Sequence, residues 1–481
     1  MKKGSVTVYM TLMLAVLLSL FVTVIEGARQ RAISIQAETA MDLAVYSVFA
    51  EYNRALSDAY DLLFIDTSYG EETGSLSRTK KHFSYYVNEN LMQGQTSAAA
   101  DLTKCFLSDV SFPACAYATD QKGAVFEKQV IRYMEQKYGL SYVTELKKEL
   151  TAAKESGLFT RDVTAERQQN QSIIEETELP KKDTGRVDAE GNPILEETEL
   201  ENPADRVNGS RAKGVLFLVT DQKQHISEQT INPAHFSSHR EGKQEGIGLT
   251  SREQVKTVEK LLFDSYIMEK CSCFLDEEKN AGELSYQLEY ILSGKNSDIE
   301  NLKYVVHRLL LIREVSNVTY LFSDGAKMAE AAALASAVAT AAGVPVLIEP
   351  IKISLLFAWA YAEAVYDVRT LLAGGSVSLL KTAQNWHYSL EGMLQYEGDT
   401  AVNEVQEKKP GELSYQEYLR LLLAAEGEEK KVLRMMDVVE MHLQTEDASF
   451  YLADCVDYLS IQAEIGSKFG YSKELERTFY Y

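Results

Sequence analysis

An uncharged stretch at the N-terminus constrains this chain more than any other feature. Residues 6–25 contain no charged side chain. As a helix they span about 30 Å, the thickness of a bilayer's hydrocarbon core. Lys2 and Lys3 precede the stretch and predict a cytoplasmic N-terminus, with everything after Ile25 exported. A secretory signal has an apolar region of only about 7–15 residues and a small-x-small cleavage site, so we expect a permanent single-pass anchor over residues 1–27.

The helix is expected to continue beyond the membrane. Residues 28–59 contain neither Pro nor Gly, and apolar side chains recur there at steps of three and four. These side chains are Ile33, Ala37, Ala40, Ala44, Val48, Tyr52 and Leu56. The pattern predicts an amphipathic stalk helix over residues 28–60, on which a globular head packs.

Four stretches carry a resemblance to a known family. They read GSVTVYMTLMLAVLLSLFVTVIEGAR, QAETAMDLAVYSVFAEYNRAL, AWAYAEAVYDVRTLLAGG and LSYQEYLRLLLA. The arrangement resembles the TadE/TadG-like pseudopilins of tight-adherence (Tad) pilus systems, in a large Gram-positive branch. The resemblance implies one N-terminal span, a helix and an exported domain that works by protein packing. Tyr9 stands at the fifth position after Gly4, where a cleaved prepilin normally carries Glu, so the chain departs from a true prepilin there.

The anchor and stalk supply the candidates for partner contact. Thr7 and Thr11 lie four residues apart on one helix face, and helix association in lipid depends on close packing and polar bonds. Glu26 is expected either to form an interfacial ion pair with Arg29 or to hold a partner subunit. The small residues of the stalk complete the set: Ala37, Ala40 and Ala44.

Composition limits the remaining choices. The net charge of −22 and the pI near 4.9 disfavour nucleic acid as a partner, because phosphate binding requires clustered Lys and Arg. A hydrophobic fraction of 45% is enough for a sizeable core. Among the five cysteines, Cys105 and Cys115 either staple a loop or stay reduced in the core, and none has a spacing typical of zinc.

The predicted fold class is α+β and mostly α-helical. Residues 61–161 are expected to form a mixed α/β head, and residues 162–250 an acidic, Pro-containing insert that is β-rich or flexible. Within the insert, GVLFLVTD is predicted to be a buried strand, and the two EETEL segments either form a hairpin or an acidic loop. Residues 251–481 are predicted to be a helical domain. GELSYQ begins a helix twice, at Gly282 and Gly411, with Ser as the expected N-cap.

Signals for catalysis or ligand binding are weak. The chain contains no G-x-S-x-G, Walker or G-x-G-x-x-G motif, so we expect no enzyme activity and no cofactor. Asp66 and Ser68 fit two positions of a D-x-S-x-S metal motif, but Gly70 replaces the second serine, and an ordinary turn is the expected explanation. Trp359, Trp386 and the 27 tyrosines suggest a glycan-binding face or, alternatively, ordinary packing.

These observations predict a minor pseudopilin or assembly component of a Tad-type pilus or secretion system. Its partners are expected to be the membrane and other pilus or secretion-platform proteins. The alternative is a cell-surface module on the same anchor that binds a cell-wall glycan or a peptide, followed by an anchored hydrolase.

Overall fold

The computed structural model describes residues 3–92, 103–155, 161–188, 191, 193–220, 226–240, 245–248, 256–276, 282–396 and 407–481. The chain is mostly helical, with some strands and a long apolar helix at its N-terminus. It divides into two compact units. Unit 1 contains Met1–Lys137, Pro233–Val255 and Val432–Tyr481, and unit 2 contains Tyr138–Asn232 and Lys256–Lys431.

Unit 1 combines helices with an antiparallel sheet. Its elements in chain order are α1 (Lys3–Phe49), α2 (Arg54–Tyr60), β1 (Ile65–Asp66), α3 (Leu76–Met92), β2 (Cys105–Tyr117), the first part of α4 (Asp120–Glu155), most of α15 (Glu428–Leu443), β7 (Cys455–Ser467) and β8 (Ser472–Tyr480). β7 is the central strand, because β2 pairs with it on one side, and β1 and β8 pair with successive parts of its other side. The second half of α1 and α3 cover one face of this sheet, and their apolar side chains share a core with it.

Unit 2 is built around two long helices. Its elements are α5 (Val163–Glu176), β3 (Lys181–Val187), β4 (Pro193–Glu197), α6 (Ala204–Ser210), α7 (Val215–Val219), α8 (Thr257–Lys270), α9 (Gln287–Ser293), α10 (Asp298–Ser323), α11 (Gly325–Ala341), α12 (Ile348–Leu372), β5 (Ser376–Ser378), α13 (Leu390–Leu394), β6 (Glu412–Ser414) and α14 (Tyr415–Ala425). α10 packs against α12, and most of α12 is buried, so this apolar stretch belongs to the core of unit 2.

The predicted helical character of residues 251–431 agrees with the helices of unit 2, because their apolar positions recur at helical spacing. The two GELSYQ segments differ, however. Ser414 caps α14 in a capping box with Glu417, whereas α9 begins one residue later and Tyr286 occupies its cap position. The N–H of Ser285 instead donates to Asp298 Oδ2 at 3.0 Å.

The predicted division of the chain is wrong in its later part. Residues 432–481 do not continue a helical domain, because β7 and β8 form the centre and one edge of the unit 1 sheet. The expected insert, residues 162–250, is shared between the two units, and its described part contains the short helices α5, α6 and α7 as well as the strands β3 and β4. Its EETEL segments do flank a hairpin, β3–β4, but GVLFLVTD forms the short helix α7 rather than a strand.

The stalk helix is also shorter than predicted. α1 ends at Phe49, and Asn53 begins the separate helix α2 by accepting a hydrogen bond from the N–H of Leu56 at 3.0 Å. An Asn at this position favours a helix start, because its side chain satisfies a backbone N–H that has no partner within the helix.

Candidate functional site

The environment of α1 changes halfway along its length. Every residue from 5 to 25 is exposed, although the segment is strongly apolar, with a mean hydropathy of 2.5 over its best window. Among the described helices, α12 also has the length and composition to cross a membrane, but it is mostly buried in unit 2. Of these two helices, only α1 leaves a long apolar segment, its first half, uncovered by the described part of the chain.

The second half of α1 has two faces. The inner face is buried against α3 and the sheet of unit 1. Ala37, Ala40 and Ala44 lie on this face with at most 1% of their surface exposed. Their proposed role in partner contact is therefore wrong for this structure: small side chains here allow α1 to lie close to its own head.

The opposite face forms what we call the outer stripe: Ala32, Ile35, Thr39, Leu43 and Tyr46, all exposed. Ile35 and Tyr46 expose 63% and 62% of their surface. These residues recur at helical spacing one or two positions away from the buried ones. They are hard to recognise from the sequence alone, because the buried residues of the inner face form the more regular apolar pattern.

Charged side chains join the exposed edge of α1 to β8. Lys473 Nζ donates to Glu38 and Ser34, and Arg477 Nε donates to Asp42 Oδ1 at 2.6 Å. The hydrogen bond from Lys473 lowers the pKa of Glu38. These pairs are partly exposed, so each adds little stability, but together they fix the register of the last strand along the helix.

A further contact holds the helix where its apolar half ends. Arg29 Nη1 lies 2.6 Å from Glu26 Oε2, which is the interfacial ion pair considered above. The hydroxyl of Tyr471 donates to Glu26 Oε1 at 2.5 Å, and the pKa of Tyr471 is raised by this bond. The guanidinium of Arg29 also lies 4.1 Å from the ring centre of Phe469. The Glu26 carboxylate is therefore bound by two groups of the same chain: Arg29, and Tyr471 in the turn between β7 and β8.

Aromatic and acidic groups hold the other end of α1. The ring of Phe49 packs on Phe479, with 4.4 Å between ring centres, and Tyr481 donates its hydroxyl hydrogen bond to the carbonyl of Phe49. Just beyond the helix, Glu51 accepts from Tyr86 at 2.7 Å. This bond is the main reason that the pKa of Tyr86 rises to about 12. Side-chain contacts with the C-terminal strands therefore hold the second half of α1 at both of its ends and along one edge.

The remaining predicted site residues lie apart. Thr7 and Thr11 are exposed on the first half of α1, and Thr11 Oγ1 donates to the carbonyl of Val8 at 2.9 Å. Asp66 Oδ1 accepts from the N–H of Ser68 at 2.9 Å, which is the ordinary turn considered as the alternative to a metal site. Burial raises the pKa of Asp66. Among the described residues, no three His, Cys, Asp or Glu side chains are grouped so that they could hold a metal ion.

Unit 2 contains a buried charge network that the sequence did not reveal. Lys381 Nζ donates to Glu363 at 2.6 Å and to Asp367 at 2.7 Å, and Arg313 Nε donates to Asp367 at 3.0 Å. The four side chains are at most 2% exposed. Two positive and two negative charges balance, and the lack of access to solvent favours a structural role that fixes the segment after α12.

The tryptophans do not form an open binding face. Trp359 is fully buried and donates from Nε1 to the carbonyl of Tyr388 at 2.9 Å. Trp386 packs edge-on against it, with 5.8 Å between ring centres. Packing within unit 2 therefore accounts for this pair, and Trp359 is not available to a glycan.

Comparison with known families gives one match. The profile of the "Family of unknown function (DUF5702)" matches residues 194–467, which is more than half of the chain. The chain belongs to this family. The match covers much of unit 2 and the central strand β7, and it begins after α1. No curated protein and no solved structure matches the chain.

Proposed function

We propose that the chain is a membrane-anchored, exported minor pseudopilin or assembly component of a Tad-type pilus or secretion system. The observation that carries this proposal is the division of α1: its first half is apolar and exposed, and the inner face of its second half is buried against the head. A continuous helix of this kind fixes the position of the folded head relative to the membrane. The N-terminus is cytoplasmic, the span is single, and both units are extracellular.

The proposed work is protein packing rather than catalysis. The outer stripe leaves Ile35, Leu43 and Tyr46 exposed in line with the apolar span. Exposed apolar patches on soluble domains mark contact sites, and this one continues a surface already buried in lipid. We therefore assign partner contact to the outer stripe, with Thr7 and Thr11 as candidate contacts within the bilayer.

Co-purification from the native cell tests the proposal. The full-length chain, carrying a C-terminal tag, is extracted in mild detergent and its companions are identified by mass spectrometry. We expect a secretion ATPase and polytopic platform proteins. The double substitution Ile35→Glu and Tyr46→Glu should remove them, because it places charge within the outer stripe.

Tyr85→Glu is the matched control, because Tyr85 is 60% exposed but lies on α3. It should leave the companions in place. Recovery without pilus or platform proteins, together with retention on cell-wall polysaccharide, would instead support a surface-binding module.

A further inference from the structure

The last strand of the chain leaves one side of its backbone without a strand partner. β8 pairs with β7 over its whole length, and among the described residues no further strand or isolated bridge pairs with its other side. The N–H of Ser467 donates to the carbonyl of Tyr471 at 2.7 Å, so this pair is hydrogen-bonded and every second pair after it is not. In agreement, the carbonyl of Glu476 accepts from its neighbour Arg477 Nη1 at 3.0 Å. The residues whose backbone groups point away from β7 are all exposed, and we call them the open edge: Ser472, Glu474, Glu476, Thr478 and Tyr480.

The side chains of the open edge lie on the sheet face that is turned away from α1. Lys473 and Arg477 alternate with them and bind acids of α1 on the opposite face. On the outward face, Glu474 lies opposite Glu464 of β7, which in turn lies opposite Asp109 of β2. These three acids are exposed. Like charges in directly opposite positions repel each other, so a counter-charge would stabilise this row.

The row is not neutralised by ion pairs. Within the described part of the chain, neither these three acids nor the exposed Glu476 pairs with a cation. Lys468 lies in the turn before β8, and the guanidinium of Arg132 lies 5.0 Å from the ring centre of Tyr480 near the other end. Both cations therefore lie at the ends of the strand, and the middle of the open edge is acidic.

The other face of β8 leads to the outer stripe of α1. Arg477 Nε donates to Asp42 Oδ1, and the ring of Tyr46 packs edge-on against Phe479, with 5.7 Å between ring centres. Leu43 follows Asp42 by one residue, which places it about 100° further round the helix, and it is exposed. The outer stripe therefore lies beside the open edge, on the side of α1 that β8 leaves uncovered.

We propose that the open edge binds an extended segment of a partner protein as an added β-strand, and that this segment alternates basic and apolar side chains. The backbone groups of an exposed edge pair with an extended chain, and the side chains on its two faces select the sequence. Basic side chains of the segment lie beside the acidic row, and its apolar side chains cover the outer stripe. The proposal rests on the proposed function, because it names the chemistry by which a partner contacts the outer stripe.

Charge disfavours a second copy of this chain as the occupant. Antiparallel pairing of two copies of β8 over their middle brings Glu474 and Glu476 opposite or diagonal to the same acids of the other copy. Charged side chains on an edge strand are a common protection against such self-association. A basic segment meets no repulsion there, so charge complementarity selects it.

Residue-resolved hydrogen exchange of the full-length chain in detergent micelles tests the added strand. The probe is a nine-residue peptide, matched to β8 in length, in which Lys and Val alternate. A peptide with the same residues in two blocks, all Lys before all Val, is the control. Binding of the alternating peptide should slow exchange of the N–H groups of Glu474, Glu476 and Thr478 by about tenfold, because each gains a backbone hydrogen bond. The N–H groups of Leu475 and Arg477 already face β7 and should change much less.

Charge reversal separates the open edge from general attraction to an acidic chain. Glu474→Lys with Glu476→Lys should weaken binding of the labelled alternating peptide by about tenfold in fluorescence anisotropy. The same reversal at Glu71 and Glu72, which are exposed elsewhere in unit 1, should not. Glu476→Pro should also weaken binding, because it removes an outward N–H without removing a bond to β7. Unchanged protection of the β7 amides shows that each variant is folded.

Co-purification from the native cell separates the two proposals. If the Glu476→Pro chain keeps the pilus or platform companions that the outer-stripe substitutions remove, the proposed function stands and the added strand is wrong. The added strand is also wrong if both peptides protect the same amides, or if the chain alone is dimeric and already protects its open edge. If the alternating peptide protects the open edge but no such companions are recovered, the added strand stands and the proposed function fails.

Discussion

Asp457 shows how a single buried carboxyl group ties stability to pH. It lies on β7 with 4% of its surface exposed and accepts a hydrogen bond from Gln129 Nε2 at 2.8 Å. Burial raises its pKa to about 6, partly offset by Arg132. The folded state therefore holds the proton more tightly than the unfolded state, whose carboxyl has a pKa of about 3.9. Stability from this group is full at low pH and is lost as the pH rises through about 6.

Asp457→Asn should remove this pH dependence, because an amide keeps the acceptor for Gln129 but does not titrate. From pH 8 to pH 5 the unsubstituted chain should gain about 1.4 kcal/mol in free energy of opening relative to the variant. Hydrogen exchange of the β7 amides at both pH values measures the difference. Asp109→Asn on β2, where the side chain is exposed, is the control. A constant difference between variant and unsubstituted chain would contradict the raised pKa.

Gly123 is a residue that the backbone and the packing both require. Its φ is +80°, and a Cβ would lie 2.7 Å from Met436 Sδ and from Val432 Cγ1. Gly123→Ala should cost unit 1 about 2–4 kcal/mol through the left-handed backbone and overpacking together. Gly70→Ala shares the positive φ but has open space around it, so it should cost only about 1–2 kcal/mol. Equal losses of hydrogen-exchange protection in the two variants would show that packing at Gly123 is unimportant.

At the scale of elements, the two GELSYQ segments provide a matched pair. Ser414 Oγ accepts from the N–H of Glu417 at the start of α14, whereas Ser285 Oγ donates to Gln229 Oε1 at an exposed site. Ser414→Ala should therefore lower the stability of unit 2 by about 1 kcal/mol, and Ser285→Ala by clearly less. Urea denaturation followed by tryptophan fluorescence is suitable, because Trp359 and Trp386 both lie in unit 2. A larger loss with Ser285→Ala would contradict the assigned caps.

The elements that the sequence predicted are those whose signal is local. α10, α12 and α14 follow from helical spacing within each segment. β7 and β8 were missed, although Leu459, Ile461, Ala463 and Ile465 alternate in the manner of a strand. The predicted helical domain, residues 251–481, includes both strands, because the helical pattern of the segment before them is much stronger. The pairing of β7 with β2, more than 300 residues earlier in the chain, is not visible in any local pattern.

The same limit applies to the candidate site. The apolar span, the inner stripe and the Glu26–Arg29 pair are within one helix and could be inferred from its sequence. The contacts of Tyr471 and Lys473 with α1 could not, because they join the first and last segments of the chain. Ala37, Ala40 and Ala44 illustrate the consequence: small residues indicate close packing, but only the tertiary structure shows what packs there.

At the scale of the whole molecule, we propose that α1 is the functional element of the protein. In this proposal its first half holds the chain in the membrane, its inner face packs against the head, and its outer stripe contacts other subunits. A partner should therefore lie within reach of Tyr46 but not of an equally exposed aromatic residue on another element.

Photo-cross-linking in the native cell tests this claim most directly. A benzophenone amino acid replaces Tyr46 on the outer stripe or Tyr85 on α3, residues that are 62% and 60% exposed. If the proposal is right, we expect ultraviolet-dependent adducts with pilus or secretion-platform proteins from position 46 and few or none from position 85. Membrane-retained protein that forms no such adduct from position 46, or forms the same adducts from both positions, would contradict it.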